Sequence, residues 1–124
     1  MKNFVNSEDI FLNMGDCWHV WSGEQFETFL YTDDDYITCM GIVAIAAKLC
    51  PDISVLTFEL MSNHIHLCVS GAEDSINNLI SNLRKVLSRA FDFQERPIRW
   101  TDFTLNKRRL NSLEDVRNVI AYVI

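Results

Sequence analysis

Two histidines one residue apart carry the clearest chemical signal in the chain. His64 and His66 lie in segment 61–69, which reads MSNHIHLCV and has the composition of a buried strand. Because side chains on a strand alternate between its two faces, we expect these histidines to share one face, with Ile65 and Leu67 on the other. Two neutral imidazoles supply half of a divalent-metal site, and a third ligand would complete a catalytic one. The sequence therefore predicts a metal-binding role for the pair.

Cys68 would share that face, which leaves a second ligand set open. An H-x-H-x-C arrangement would favour zinc, because a thiolate is a ligand that zinc prefers. A small apolar side chain fits the same position equally well. The four cysteines are scattered through apolar segments and never form CxxC, a pattern typical of buried reduced thiols: Cys17, Cys39, Cys50 and Cys68.

The elements that must position the pair follow from periodicity and capping signals. Thr32 with Asp35, and Ser112 with Asp115, are capping boxes that predict two helix starts. Segment 25–31 either extends the first strand or forms a hairpin arm. The predicted strands are 17–21, 53–60, 64–70 and 98–105, and the predicted helices are about 33–49, 74–91 and 113–124.

The order of these elements indicates an α+β fold. It is a ferredoxin-like split βαβ arrangement, an antiparallel sheet with helices packed on one face. The other face would be open, and the alternation of segment 64–70 puts the two histidines there. Residues 1–16 are expected to be an irregular lead-in, and residues 17–124 a single domain.

Charge is distributed unevenly along the chain. The formal net charge is −6, yet residues 63–124 hold nine of the eleven basic side chains, so a polyanion would meet that half. No apolar run approaches the length of a membrane span, and the start lacks the apolar core of a secretory signal. These features predict a cytoplasmic protein with no membrane contact.

Tyr122 is the other residue of chemical interest. The last helix has an apolar stripe that includes Val116, Val119 and Ile120, and Tyr122 lies roughly 100° from its centre at 3.6 residues per turn. A tyrosine on the flank of a helix is most often a packing residue. Read alone, Tyr122 indicates no chemistry.

Several segments together resemble one family. Segment 61–67 resembles the M-x-N-H-hydrophobic-H-L signature of the HUH single-strand transposases, and REP-associated tyrosine transposases are the most similar branch. Trp18-His19-Val20 is similar to the opening "YHV" strand of that family. Segment 31–36 resembles its "F-x-D-x-x-D-Y" helix start, and segment 120–124 resembles the start of its "Y-[IV]-x-x-N-P" helix. The resemblance covers residues 17–124, and His19 is interpreted as structural.

The resemblance implies a reaction on single-stranded DNA, with hairpin ends as the expected substrate. Tyr122 would attack a phosphodiester, forming a 5′-phosphotyrosine link and freeing a 3′-hydroxyl. His64 and His66 would hold Mg²⁺ or Mn²⁺, which polarises the phosphoryl oxygen. Basic side chains would follow the phosphates and an indole would stack on a base. The residues expected in these DNA contacts are Arg84, Lys85, Arg89 and Trp100.

Two departures from the family pattern keep alternatives open. The third metal ligand of the family comes four residues after the tyrosine, which lies beyond Ile124, so the domain is expected to be cut short at its C-terminal helix. The chain is also more acidic than is usual for a DNA enzyme of this size. One alternative is a domesticated HUH domain that binds nucleic acid without cutting it, and another is a small zinc protein using His64, His66 and Cys68. A homodimer stays open, because relatives work as monomers or as dimers.

Overall fold

Over the residues that the structure describes, the fold is a four-stranded antiparallel sheet with three helices. A computed structural model describes residues 15–23, 26–92 and 98–123. The strands are β1 (Cys17–Ser22), β2 (Ser54–Leu60), β3 (Ile65–Ser70) and β4 (Leu105–Leu110). The helices are α1 (Asp33–Lys48), α2 (Glu73–Asp92) and α3 (Leu113–Val123), and a short 3₁₀ turn spans Trp100–Asp102.

The strand order β2-β3-β1-β4 is that of the ferredoxin-like split βαβ arrangement. All three strand pairs are antiparallel, and the two central strands are β3 and β1. Their register places Val20 beside Leu67 and Trp21 beside His66. The predicted α+β fold class is therefore confirmed.

The main core lies between the sheet and the first two helices. Ile65, Leu67 and Val69 of β3 point into it, as their alternation predicts, and each is fully buried. The apolar stripe of α2 covers this face together with the inner side of α1. Its fully buried members are Ile76, Leu79, Leu83, Leu87 and Phe91.

Helix α3 packs on the opposite face of the sheet. Val116 and Val119 form a second, smaller cluster with Cys17, Cys68 and Leu110, which alternate with the residues of the main core. The last helix thus lies apart from the other two and covers part of the face that was expected to be open.

Local signals explain the helix starts. The Thr32 hydroxyl accepts a hydrogen bond from the Asp35 amide at 3.1 Å, and the Asp35 carboxylate accepts one from the Thr32 amide at 3.2 Å. This is the predicted capping box. At α3 the Ser112 hydroxyl accepts from the Asp115 amide at 3.1 Å, as predicted.

Two strand predictions are wrong. The described residues 26–31 form no strand, and the predicted strand 98–105 is replaced by the 3₁₀ turn followed by β4. The apolar residues Trp100 and Phe103 are three positions apart, a spacing that suits a turn and breaks the period of two that a strand requires. The lead-in predicted for residues 1–16 lies outside the described residues except at positions 15 and 16.

The four cysteines are buried and unpaired with one another, as predicted. Burial raises the pKa of the Cys39 thiol to about 12. Within the described ranges, no helix is both long enough and apolar enough to cross a lipid bilayer.

Candidate metal and nucleic-acid site

A tight hairpin turn between β2 and β3 positions His64. The Met61 amide donates to the His64 carbonyl at 2.8 Å, which closes a two-residue loop of Ser62 and Asn63. The strand prediction began one residue early, because β3 starts at Ile65. The Ile65 amide donates to the Ser22 hydroxyl at 2.8 Å, which ties the start of β3 to the end of β1.

Contacts with segment 26–30 hold the same loop from the other side. The Ser62 carbonyl accepts hydrogen bonds from the amides of Phe29 at 2.9 Å and Leu30 at 3.0 Å. The Asn63 side-chain amide donates to the Phe26 carbonyl at 3.2 Å. The histidine loop is therefore anchored to a segment that is itself buried at Phe29 and Leu30.

Asn63 determines which nitrogen of His64 carries the proton in the neutral ring. Because the Phe26 carbonyl can only accept, the Asn63 amide group must face it, and the Asn63 oxygen faces His64. That oxygen accepts from His64 Nδ1 at 2.7 Å, so in the neutral ring the proton lies on Nδ1. The lone pair on Nε2 is then the one suited to a metal ion, and the hydrogen bond to Nδ1 orients the ring.

His66 lies beside His64 and is buried, with 5% of its surface exposed. The two ring centroids are 5.1 Å apart and the rings are almost perpendicular, with an interplanar angle of 85°. The structure thus brings the two predicted metal ligands together on one side of the sheet. Across the strand pair, Glu59 of β2 is the register partner of His66.

His19 of β1 contacts His66 from the other neighbouring strand. His19 Nε2 and His66 Nδ1 are 3.1 Å apart, and the rings stack with centroids 5.3 Å apart. One of these two nitrogens must donate and the other accept, because a hydrogen bond needs one proton between them. A proton on His66 Nδ1 would leave Nε2 of His66 as its metal-binding atom, as for His64.

The surroundings of His19 keep its ring neutral. Burial, and after it the neighbouring His66 and Arg108, together lower the pKa of His19 to about 4. Trp21 contributes to this environment, with its ring centroid 4.9 Å from that of His19. A neutral imidazole can accept or donate a hydrogen bond, so His19 suits the task of orienting His66.

The sheet face that carries these rings has two differing parts. The part with His19, His64 and His66 is here called the histidine end. The part with Cys17, Cys68 and Leu110, which α3 covers, is called the covered end. Cys68 belongs to the covered end, where burial and the neighbouring Cys17 raise its pKa to about 11. In this position Cys68 packs with Val116 and Val119 of α3.

Among the described residues, no group of three or more His, Cys, Asp or Glu side chains is arranged to hold a metal ion. The donor set of the histidine end is therefore two imidazoles, which suit Mn²⁺ or another divalent ion only when other ligands complete the shell. Tyr122 belongs to helix α3, which packs on the sheet face that also carries the histidines. Its side chain is outside the part of the chain that the structure describes.

The predicted DNA-contact residues lie on the other side of the sheet. Arg84 and Lys85 are exposed on α2 and line a pocket of about 430 Å³ beside Trp100. Trp100 packs against the main core, and its ring lies 5.4 Å from those of Phe29 and Phe103. Arg89 is exposed on the same helix. The structure groups these residues with one another and away from the histidines.

Sequence reasoning missed two residues of the histidine end. His19 is 47 positions from His66 along the chain, and only the pairing of β1 with β3 joins them. Arg108 is the register partner of His19 on β4 and shares its face. The sequence did contain one signal that His19 could belong to the site. Trp18 and Val20 are apolar, so alternation along the strand puts the His19 imidazole on the sheet face away from the main core.

Comparison with known proteins gives a structural relative. A "putative transposase" from Deinococcus radiodurans R1 matches with a TM-score of 0.59 and 18% sequence identity, over 86% of this chain and 85% of that one. At this identity the match shows a shared fold. No protein-family model and no curated protein sequence matches the chain.

Proposed function

We propose that this chain is a transposase-like DNA strand-transfer domain in which Tyr122 attacks single-stranded DNA at a divalent-metal site formed by His64 and His66. The observation that carries the proposal is the histidine pair itself. The two rings are 5.1 Å apart, and each has a hydrogen-bond partner at Nδ1, which suits binding through Nε2. The transposase-like fold supports the same reading.

The position of α3 supports Tyr122 as the nucleophile. The helix packs on the sheet face that carries the histidines, with Val116 and Val119 facing the covered end. Tyr122 follows Val119 by three positions, less than one turn of helix. The backbone of α3 at Tyr122 is therefore on the same side of the sheet as the histidine pair, which supports this choice of nucleophile.

The chemistry is a phosphoryl transfer. A bond forms between the Tyr122 oxygen and phosphorus while the bond from phosphorus to the 3′-oxygen breaks. The phenolic proton is lost, and the leaving 3′-oxygen takes up a proton from solvent. Mg²⁺ or Mn²⁺, when bound, would stabilise the charge that develops on the phosphate oxygens. His64 and His66 supply the two imidazole ligands, and His19 holds His66 in place.

Arg108 is the cation best placed to meet the DNA backbone near this site. It is exposed, and it lies on the same face as His19 in the neighbouring strand. Phosphate contacts by such side chains position a strand without reading its sequence. The hairpin-end substrate that the resemblance implies is part of this proposal.

Covalent trapping on labelled DNA tests the proposal. The chain is incubated with Mn²⁺ and single-stranded hairpin DNA labelled at either end, and the products are separated on a denaturing gel. A 5′-phosphotyrosine link predicts that the 3′ label moves with the protein and that the 5′ label leaves on a free fragment. Tyr122→Phe and His64→Ala should each abolish the shifted band.

A matched tyrosine control separates a specific reaction from nonspecific labelling. Tyr31 is 65% exposed and precedes α1, so Tyr31→Phe should leave the band unchanged. A band that persists in Tyr122→Phe would contradict the assignment of the nucleophile. A wild-type chain that binds the DNA and forms no adduct would contradict strand transfer and favour the binding-only alternative.

A further inference from the structure

Helix α1 is apolar on both of its sides. Its inner side packs into the main core through buried residues such as Ile42 and Val43. Its outer side exposes Ile37 at 65%, Met40 at 50% and Ile45 at 52%. A helix that is hydrophobic all round is normally covered on both sides. The outer side of α1 therefore has the composition of an interface.

An apolar groove continues from this side of α1 to the edge of the sheet. It has a volume of about 570 Å³, and Phe58, a large side chain of β2, is 37% exposed beside it. This continuous region is here called the α1–β2 surface. Its groove is lined by Met40, Val43, Ala44, Ala47, Val55, Leu56, Thr57 and Phe58.

The two edges of the sheet differ in how they resist pairing with another chain. Strand β4 carries Lys107, Arg108 and Arg109 in succession, and such charges keep copies of an edge apart. Strand β2 has a single charged residue, Glu59. A bulge at Leu56 disturbs its first part, so the regular stretch is 57–60. Within the described part of the chain, the β2 edge therefore resists pairing less than the β4 edge and is the better suited to a partner.

We propose that the α1–β2 surface is a homodimer interface, in which a second copy of this chain packs about a two-fold axis. Charge favours a copy as the occupant. Helix α1 begins with the exposed acids Asp33 and Asp34 and ends with Lys48, and nothing between Asp35 and Lys48 is charged. Two antiparallel α1 helices place each lysine beside the acids of the other copy, with apolar side chains between them.

The two-fold axis also fixes how the edges meet. Side chains opposite each other in an antiparallel pair share a face, so a register centred on Phe58 places the two Phe58 rings together on the helix side. The same register sets Thr57 opposite Glu59 of the other copy and keeps the two Glu59 carboxylates apart. This dimer is independent of the metal site and of Tyr122.

Sedimentation of the full chain tests the dimer. At ~1 to ~100 µM, concentrations at or above the dissociation constants of interfaces of standard size, the mass should rise towards or reach twice 14.4 kDa. Ala44→Arg should hold the mass at one chain, because Ala44 is exposed and the change adds charge at the centre of the surface. Asn78→Arg, at an exposed position of α2, is the matched control and should leave the dimer intact.

A cysteine pair tests the register. Phe58→Cys should form a disulfide-linked dimer under mild oxidation, because residues on a two-fold axis of paired strands lie within bridging distance. Asn106→Cys on the β4 edge should stay monomeric on a denaturing gel, and the native cysteines are buried. A wild-type chain that is monomeric throughout, a dimer that survives Ala44→Arg, or cross-linking at Asn106→Cys alone would each overturn the proposal.

Discussion

The histidine end and the covered end belong to one sheet face and to the same strands, and they differ in almost every other respect. At the covered end, Leu110 and Cys68 pack under α3 with Val116 and Val119, and every one of these side chains is nearly or fully buried. At the histidine end the neighbours are imidazoles, an indole and an arginine. A fold gains stability by covering apolar side chains, whereas a site needs polar groups held in place beside accessible space. The two ends should therefore respond to mutation in opposite ways.

The largest expected effect is on stability at the covered end. Leu110 is 1% exposed, so Leu110→Ala should lower the free energy of unfolding by ~2–5 kcal/mol, from lost burial and the cavity left behind. Urea unfolding measures this change. The exposed Leu49 is the control, and Leu49→Ala should cost less than ~0.5 kcal/mol. Loss of Mn²⁺ affinity in folded Leu110→Ala would break the distinction between the ends.

The next effect is on metal affinity at the histidine end. His19→Phe removes the hydrogen-bond partner of His66 Nδ1 and keeps a ring of similar size, so it should weaken Mn²⁺ binding ~10–100-fold. His19→Gln, which keeps an amide able to bond to His66, should recover most of that affinity. Calorimetric titration measures both variants. Equal affinities in wild type and His19→Phe would show that His19 has no positioning role.

A smaller effect is the pH dependence that His19 gives to stability. Its pKa lies near 4 in the fold and near 6.5 in the unfolded chain, so between these values only the unfolded chain binds the proton. The stabilisation is complete above pH 6.5 and is lost as the pH falls towards 4. Urea unfolding at several pH values should give a shallower decline for His19→Phe than for wild type. Parallel curves would contradict the assignment of a neutral His19.

The smallest effect is on the salt dependence of DNA binding. Arg108→Ala should reduce the slope of log K against log salt by ~0.7, the value for one phosphate contact with a single strand. Arg109 is the matched control, because it lies on the other face of β4 and is paired with Asp16 at 2.7 Å. Arg109→Ala should leave the slope unchanged. Equal changes of the salt slope in Arg108→Ala and Arg109→Ala would contradict the prediction that DNA binds on the sheet face that carries Arg108.

The sequence predicted those features of the fold and the site that are formed by residues close together along the chain. The capping box of Thr32 and Asp35 spans four residues, and the histidine pair spans three, so both were visible in local patterns. Strand β4 was missed because its middle residues are charged and show no strand pattern of their own. Its extended conformation depends on pairing with β1. His19 was missed as part of the site for the same reason, since its partner His66 is distant along the chain.

The position of α3 was also beyond sequence reasoning. The apolar stripe of α3 predicts that one side of the helix is buried, and the burial of Val116 and Val119 confirms this. The stripe does not indicate which face of the sheet the helix covers. Cys17, Cys68 and Leu110 come from three different strands, and only the assembled sheet brings them together as the surface for the helix.

The most direct test of the account is the Mn²⁺ affinity of His64→Ala, measured by calorimetric titration beside wild type and Leu110→Ala. His64 is half-buried at the end of a hairpin, so its removal should leave the fold intact. The account predicts that wild type and folded Leu110→Ala bind Mn²⁺ alike and that His64→Ala does not bind it. Wild-type affinity in His64→Ala would contradict the central claim that the histidine end is the metal site.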